Sequence, residues 1–142
     1  MAAFNKFNQT IADIANGVHN LGSDSFKFML TLTAPTSANS VKADLTEIAA
    51  GNGYTAGGES VAITSSTQTV GAYSWVGGSS PVFTGTGGDM ADFRYVVLYN
   101  DTAASKNLIG FYDYGSINTN PNGETFTINA NAVTLISGSL GA

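Results

Sequence analysis

Apolar and polar positions follow two different periods along this chain. In the first twenty-two residues, Phe4, Phe7, Ile11, Ile14, Ala15 and Val18 recur every three or four positions, which lines one stripe of a helix. Lys6, Gln9 and Asp13 fall on the other side. Gly17 and the Asn20-Leu21-Gly22 stretch weaken and end that helix. A helix this short is unstable alone, so its stripe must pack on something, either a face or end of the same domain or a neighbouring subunit. From Ser25 onward the period becomes two. Residues 26–33 (FKFMLTLT) alternate apart from Met29 and stop before Pro35. Residues 41–50 (VKADLTEIAA) have room for a turn or two of helix, and the glycines at 51, 53, 57 and 58 then demand a loop.

The rest of the chain reads as short strands. Residues 60–76 are rich in β-branched and aromatic side chains and are predicted to be two strands joined around Ser65-Ser66-Thr67. A turn over 77–81 leads to a short strand at 82–84 and a loop at 85–88. Residues 93–99 (FRYVVLY) form the strongest strand of the pattern, with 108–114 as its antiparallel partner across a turn that begins at Asn100-Asp101-Thr102. The stretch 118–123 (NTNPNG) is dense in turn chemistry. Residues 124–128 alternate again, 133–136 close the pattern, and 137–142 read as a frayed tail. Seven or eight strands with a turn about every dozen residues predict an all-β fold, an antiparallel sandwich or barrel, and exclude βαβ alternation. The expected organisation is one domain over 1–142: a helical segment at 1–22, a β-sandwich at 25–136 and the tail.

Composition narrows the function classes. A chain of 142 residues buries roughly two-thirds of its unfolded surface, enough for one core. Hydrophobic residues at 43% exclude a disordered chain, while charged residues at 11% fall below half the usual share. Ten acids against five bases give a net charge of −5, which offers no electrostatic footprint for nucleic acid. The absence of cysteine removes disulfides, thiolate metal sites and cysteine nucleophiles. The first residues lack the apolar and basic regions of a signal peptide, and no apolar run approaches the roughly 20 residues that span a bilayer. A chain made and kept in solution in the cytoplasm is the expectation, with no membrane partner.

Candidate chemistry is sparse. His19 is the sole histidine, so a triad or a histidine metal site would need its partners from other residue types; at the end of the helix it reads as a structural residue. Asp89 and Asp92 flank Met90-Ala91 just before the strand at Phe93, and Asp101 and Asp113 lie near the turn between the following two strands, but the Gly-Asp-Met-Ala-Asp run lacks the dense alternating acids of a calcium loop. The Gly-Asn-Gly and Gly-Thr-Gly-Gly stretches lack the following Lys-Ser/Thr of a phosphate loop and read as turns. Trp75, Tyr95, Tyr99, Phe111, Tyr112 and Tyr114 would make a stacking platform for sugars if they shared a face, although alternation sends about half of them to the core. No cofactor is implied, and the chain reads as non-enzymatic. Low charge with abundant Ser, Thr, Asn and Gly makes a surface that docks on protein at small desolvation cost.

Several stretches, taken in order, resemble a family of small tailed-phage proteins: GVHNLGSD (17–24), FMLT (28–31), Ala34-Pro35, EIAAGNGY (47–54), FRYVVLYN (93–100) and LIGFYDYG (108–115). The group is similar to the jelly-roll cement, or decoration, proteins that bind outside an icosahedral head. The resemblance implies a jelly-roll-like sandwich and a location in the virion. It also implies the major capsid protein as partner, and a homodimer or homotrimer that bridges capsid subunits by multivalent burial. It supplies no catalytic motif. The residues expected at the interface, from the availability of chain ends and loops, are Phe4 and Phe7, with Asn52 and Tyr54 in the glycine-rich loops at 51–58 and 77–88. Alternatives are a tail, neck or fibre component and a carbohydrate-binding module.

Overall fold

Strand pairing in the computed structural model, which describes residues 3–77, 80–129 and 133–136, is antiparallel throughout. In chain order the elements are β1 (Phe4–Lys6), α1 (Gln9–Ala15), β2 (Phe26–Thr31), a 3-10 turn (Lys42–Asp44), β3 (Glu59–Val61), β4 (Ile63–Thr69), β5 (Ala72–Gly77), β6 (Val82–Thr84), β7 (Met90–Asn100), β8 (Leu108–Asn120), β9 (Thr125–Thr127) and β10 (Val133–Ile136). The fold is all-β with one short helix. A five-stranded sheet runs β1-β8-β7-β2-β3, a second runs β10-β5-β4, and β6 pairs with β9. Only Ala62 separates β3 from β4, so the chain passes from the first sheet to the second almost without a loop.

The five-stranded sheet holds the core, and it is covered on both faces. One face carries Phe28 and Leu30 of β2, Val96 and Leu98 of β7, and Tyr112 of β8, packed with Tyr54, Phe83, Met90, Phe93 and Ile128. The opposite face carries Met29, Val97, Tyr99 and Leu108 against Phe7 and Leu45. Two-sided burial is why FRYVVLY runs nearly continuously apolar and why Met29 breaks the alternation of β2: both sides of these strands point into apolar surroundings. Phe28, Met29, Leu30, Val96, Val97 and Leu98 are all fully buried, each stabilising by on the order of 2 kcal/mol.

Three expectations need correction. The stripe at 4–18 is not one helix. Phe4 lies in β1, paired with Tyr112 of β8, and the helix is confined to Gln9–Ala15. Its buried side is polar: Thr10 and Asp13 face inward, while Ile11 is 45% and Val18 is 37% exposed. The cause is the rim of β8, whose short partner β1 leaves the carbonyls of Leu108 and Ile109 open. Thr10 Oγ1 donates to both, at 3.3 and 2.7 Å, and the Phe7 N–H adds a third bond to Ile109 at 3.2 Å. Unsatisfied strand carbonyls outweigh two apolar side chains. Within 41–50, the expected turn of helix is a single 3-10 turn, and it needs no correction. The hairpin expected to turn at Ser65-Ser66-Thr67 turns instead at Val70-Gly71, with Thr69 opposite Ala72. Both turn residues have positive φ, 50° at Val70 and 78° at Gly71, the backbone of a tight hairpin turn that valine rarely adopts. Ten strands occur among the described residues, more than the seven or eight expected. The expected turn at 77–81 includes positions 78 and 79, and the expected tail occupies 137–142; both sets lie outside the described residues.

Candidate functional site

Two of the four residues expected at an interface are buried. Phe7 is 1% and Tyr54 is 3% exposed, because each plugs one of the two core clusters. Phe4 is half-buried, with its ring edge-on to Tyr112 at 5.3 Å. Asn52 alone is exposed, and its side chain is already committed, donating to the Asp89 carbonyl at 2.8 Å.

The aromatic platform likewise dissolves into the core. Tyr95, Tyr99 and Tyr112 are buried, while Phe111 and Tyr114 are half-buried and packed on buried clusters. The Trp75 side chain lies outside the described residues. The glycine-rich stretches lace to one another instead of cradling a ligand. Gly51 and Tyr54 close a tight turn, Thr86 N–H donates to the Asn52 carbonyl at 3.1 Å, and Gly85 N–H donates to Glu124 at 2.9 Å. Gly87 N–H donates to Asn122 Oδ1 at 3.0 Å.

Each carboxylate singled out by sequence holds a loop or a strand pair. Asp89 accepts the Asn122 N–H at 3.0 Å, and Asp92 accepts the Thr119 hydroxyl at 2.9 Å. Asp101 sits between Lys27 at 3.5 Å and Lys106 at 3.0 Å, contacts that hold its carboxyl below the ordinary value. Asp113 accepts a two-pronged pair from Arg94 at 2.8 and 3.1 Å across β7 and β8, and the Gly115 N–H as well; these bonds lower it too. Among the described residues, no three His, Asp or Glu side chains gather in a way that could hold a metal ion. No helix among them is long and apolar enough to cross a membrane.

Two polar clusters were not anticipated. The first is built on Glu47, in the loop that crosses the second core face. Its Oε1 accepts the Tyr54 hydroxyl and the Gly57 N–H, both at 2.5 Å, and its Oε2 accepts Lys42 Nζ at 2.9 Å. Burial pushes this carboxyl up, but the hydrogen bonds from Lys42, Tyr54 and Gly57 outweigh it and leave the value lowered. The Tyr99 hydroxyl donates to the Gly57 carbonyl at 2.6 Å, so the cluster ties residues 42–57 to β7. Beside it, Lys42, Lys106 and Ser105 line an open hollow of about 550 Å³.

The second cluster is a buried clasp around His19, whose side chain has no exposed surface. Asn100, the last residue of β7 and fully buried, is its hub. Asn100 Oδ1 accepts the N–H groups of Thr102 and Ala103 at 2.9 and 3.1 Å, which turns the amide nitrogen toward His19 Nδ1 at 3.0 Å and Asp24 Oδ2 at 2.7 Å. His19 Nδ1 is therefore the acceptor, and the neutral ring carries its proton on Nε2. Nε2 has no partner at hydrogen-bonding range, and its nearest carboxylate oxygen is Asp13 Oδ2 at 3.8 Å. Asp13 is itself held by Gln9 at 3.1 Å and Asn107 at 2.9 Å. The clasp thus joins α1, the loop after it and both ends of the β7–β8 turn. A lone histidine and two asparagines give little sequence signal for it, since their partners lie some eighty residues apart.

Burial lowers the His19 value, against the opposing charges of Asp13 and Asp24 and the Leu108 backbone. The unfolded chain takes up this proton near pH 6.5 and the folded chain only below that. Stability contributed by the neutral ring is therefore complete above about pH 6.5 and declines as the pH falls toward the folded value. The lowered carboxylates Glu47, Asp101 and Asp113 add a second loss near pH 4. Urea midpoints measured from pH 8 downward should start to fall near 6.5 in the wild type. The variant His19→Gln should be flat across that window, though weaker at pH 8. A wild-type curve that stays level down to pH 5 would contradict the assignment.

No family model, curated protein or solved structure matches this chain.

Proposed function

We propose that this chain is a non-enzymatic structural protein of a phage virion, a cement protein that binds the outside of the head and bridges major capsid subunits. What supports this reading is the resemblance of the ordered stretches named above to small tailed-phage proteins, together with where the fold places them. Those stretches supply most of β2, β7 and β8 together with the 17–24 and 47–54 segments that brace them. The stretches that carry the resemblance are thus the frame of the five-stranded sheet. Its low-charge surface, rich in Ser, Thr, Asn and Gly, supports docking on protein, because little hydration is lost when such a surface is covered. A cement protein needs no reaction: each copy buries surface on two or more capsid subunits, and the joined contacts hold the shell by avidity. Burial of Tyr95, Tyr99 and Tyr112 weighs against the carbohydrate-binding alternative.

Quantitative mass spectrometry of purified particles, scaled to the major capsid protein, tests the reading. A copy number in the hundreds, at a simple fraction of the capsid protein, is the expected result. A few to a few tens of copies would move the chain to neck, tail or fibre. Absence from the particle would overturn the virion assignment.

A further inference from the structure

Charge is segregated in this molecule. Every Asp, Glu, Lys and Arg lies within residues 6–59 or 89–124, and residues 60–88 and 125–142 carry none. Those two charge-free stretches supply all three strands of the β10-β5-β4 sheet and both strands of the β6–β9 pair. An acidic chain has thus kept two of its three sheets wholly uncharged, and the β10-β5-β4 sheet is the larger of them.

The strand edges differ in the same sense. An open edge presents unpaired N–H and C=O groups to any passing strand, and proteins blunt such edges by shortness or by charge. In the five-stranded sheet both edges are blunted: β1 has three residues and contains Lys6, and β3 has three residues and contains Glu59. β6 and β9 are also three residues long. β4 is seven residues long (ITSSTQT), has no charge, and among the described residues has β5 as its one neighbour. Thr67, Gln68 and Thr69 of this edge are exposed. The hairpin tip beyond them is Val70, 97% exposed and held at positive φ, where an isolated hairpin would favour asparagine or glycine. The other edge of this sheet, β10, is also uncharged but only four residues long, so among the described edges length, neutrality and an exposed apolar tip come together on β4.

We propose that the outer edge of β4 is the self-association surface of this protein, joining two copies antiparallel, β4 to β4, about a two-fold axis. The occupant follows from the charge. A second copy also carries −5, so its approach is opposed wherever acidic faces meet, and the neutral sheet is where two copies come together free of that repulsion. A strand paired antiparallel with its own copy is self-complementary, as a two-fold interface requires, and the two three-stranded sheets become one of six strands. Thr and Ser are well suited to the cross-strand pairs such a seam needs. The surface would serve the virion reading, but it rests on charge and strand edges alone, and its test uses the purified chain without any particle.

Sedimentation equilibrium of the full chain, from low micromolar to near-millimolar concentration, should show a reversible monomer–dimer equilibrium. Thr67→Lys sets like charges together across the two-fold seam and should weaken the dimer about tenfold or more, with far-UV circular dichroism unchanged. Ile117→Lys, at a 61%-exposed position on β8, should leave it unchanged. Should Thr67→Lys fail to fold, Gln68→Lys takes its place. In the wild type, hydrogen exchange of the β4 amides should slow with concentration while that of β1 and β3 does not. A chain that stays monomeric, a trimer, a dimer indifferent to charge on β4, or concentration-dependent protection at β1 or β3 would each overturn the proposal.

Discussion

Asn100→Ala is expected to cost about 3 kcal/mol of unfolding free energy, far more than the loss of one small polar side chain from a surface. The amide serves four hydrogen-bonding groups at once, two backbone N–H groups, His19 Nδ1 and Asp24, with the Val18 carbonyl a weak further contact at 3.5 Å. Alanine leaves the buried ones without partners, at about 1–3 kcal/mol for each group that water cannot reach. Asp24 and Thr102 lie nearer solvent and recover part of their loss, which keeps the total from growing further. Denaturant unfolding of Asn100→Ala, His19→Gln and the double variant measures this. The two losses should be clearly non-additive, since both changes break the same bond. A loss under about 1 kcal/mol for Asn100→Ala, or simple additivity, would mean that the clasp is not a unit.

Gly58→Ala should be at least as damaging, with a cost of about 4 kcal/mol or outright failure to fold. Gly58 has φ of +80°, and a Cβ there would fall 1.8 Å from the Phe28 carbonyl oxygen and 2.9 Å from Met29 Cα. Those are backbone atoms of β2, and Phe28 and Met29 are fully buried, so the strand cannot yield. The loop must lift instead, and it would take with it the Gly57 bonds to Glu47 and Tyr99. Gly87→Ala is the control: the same φ, +79°, but nothing within 4 Å. It should cost only the backbone strain, about 1 kcal/mol. Thermal unfolding of both variants separates collision from strain, and equal losses would refute the collision argument.

Four strands were legible in sequence nearly where they occur. The 82–84 and 133–136 strands, and the β7–β8 pairing, coincide with or lie inside the observed elements. β7 and β8 extend beyond their expected ends, to Met90 and Asn120, because polar residues can pair through backbone alone. The failures have a common origin in partners distant along the chain. Phe4 and Phe7 keep helical spacing, yet β8 recruits one into a strand and the other core face takes up the second. Thr10 and Asp13 turn inward because of carbonyls and amides a hundred residues away, which periodicity cannot see. Val70-Gly71 carries half of the usual turn signal, so the serines five residues earlier looked the better corner. Of the site residues, the carboxylates were visible but their roles were not, since each role is set by a cross-strand or loop partner.

The register of the five-stranded sheet also fixes when it can exist. Phe4 pairs with Tyr112, more than a hundred residues on, and Phe28 of β2 pairs with Leu98, seventy residues on. Of the four strand pairings in that sheet, only β7 with β8 is local, joined by a short turn. A ribosome must therefore deliver residue 112 before β1 has anything to lie against, and residue 98 before β2 can bury Phe28. Until then the apolar strand 26–31 and the neutral hairpin 63–77 have left the ribosome with no finished sheet to shelter them. The sheet's stability is assembled only once β8 has been made, and its exposure to misassociation is greatest just before that.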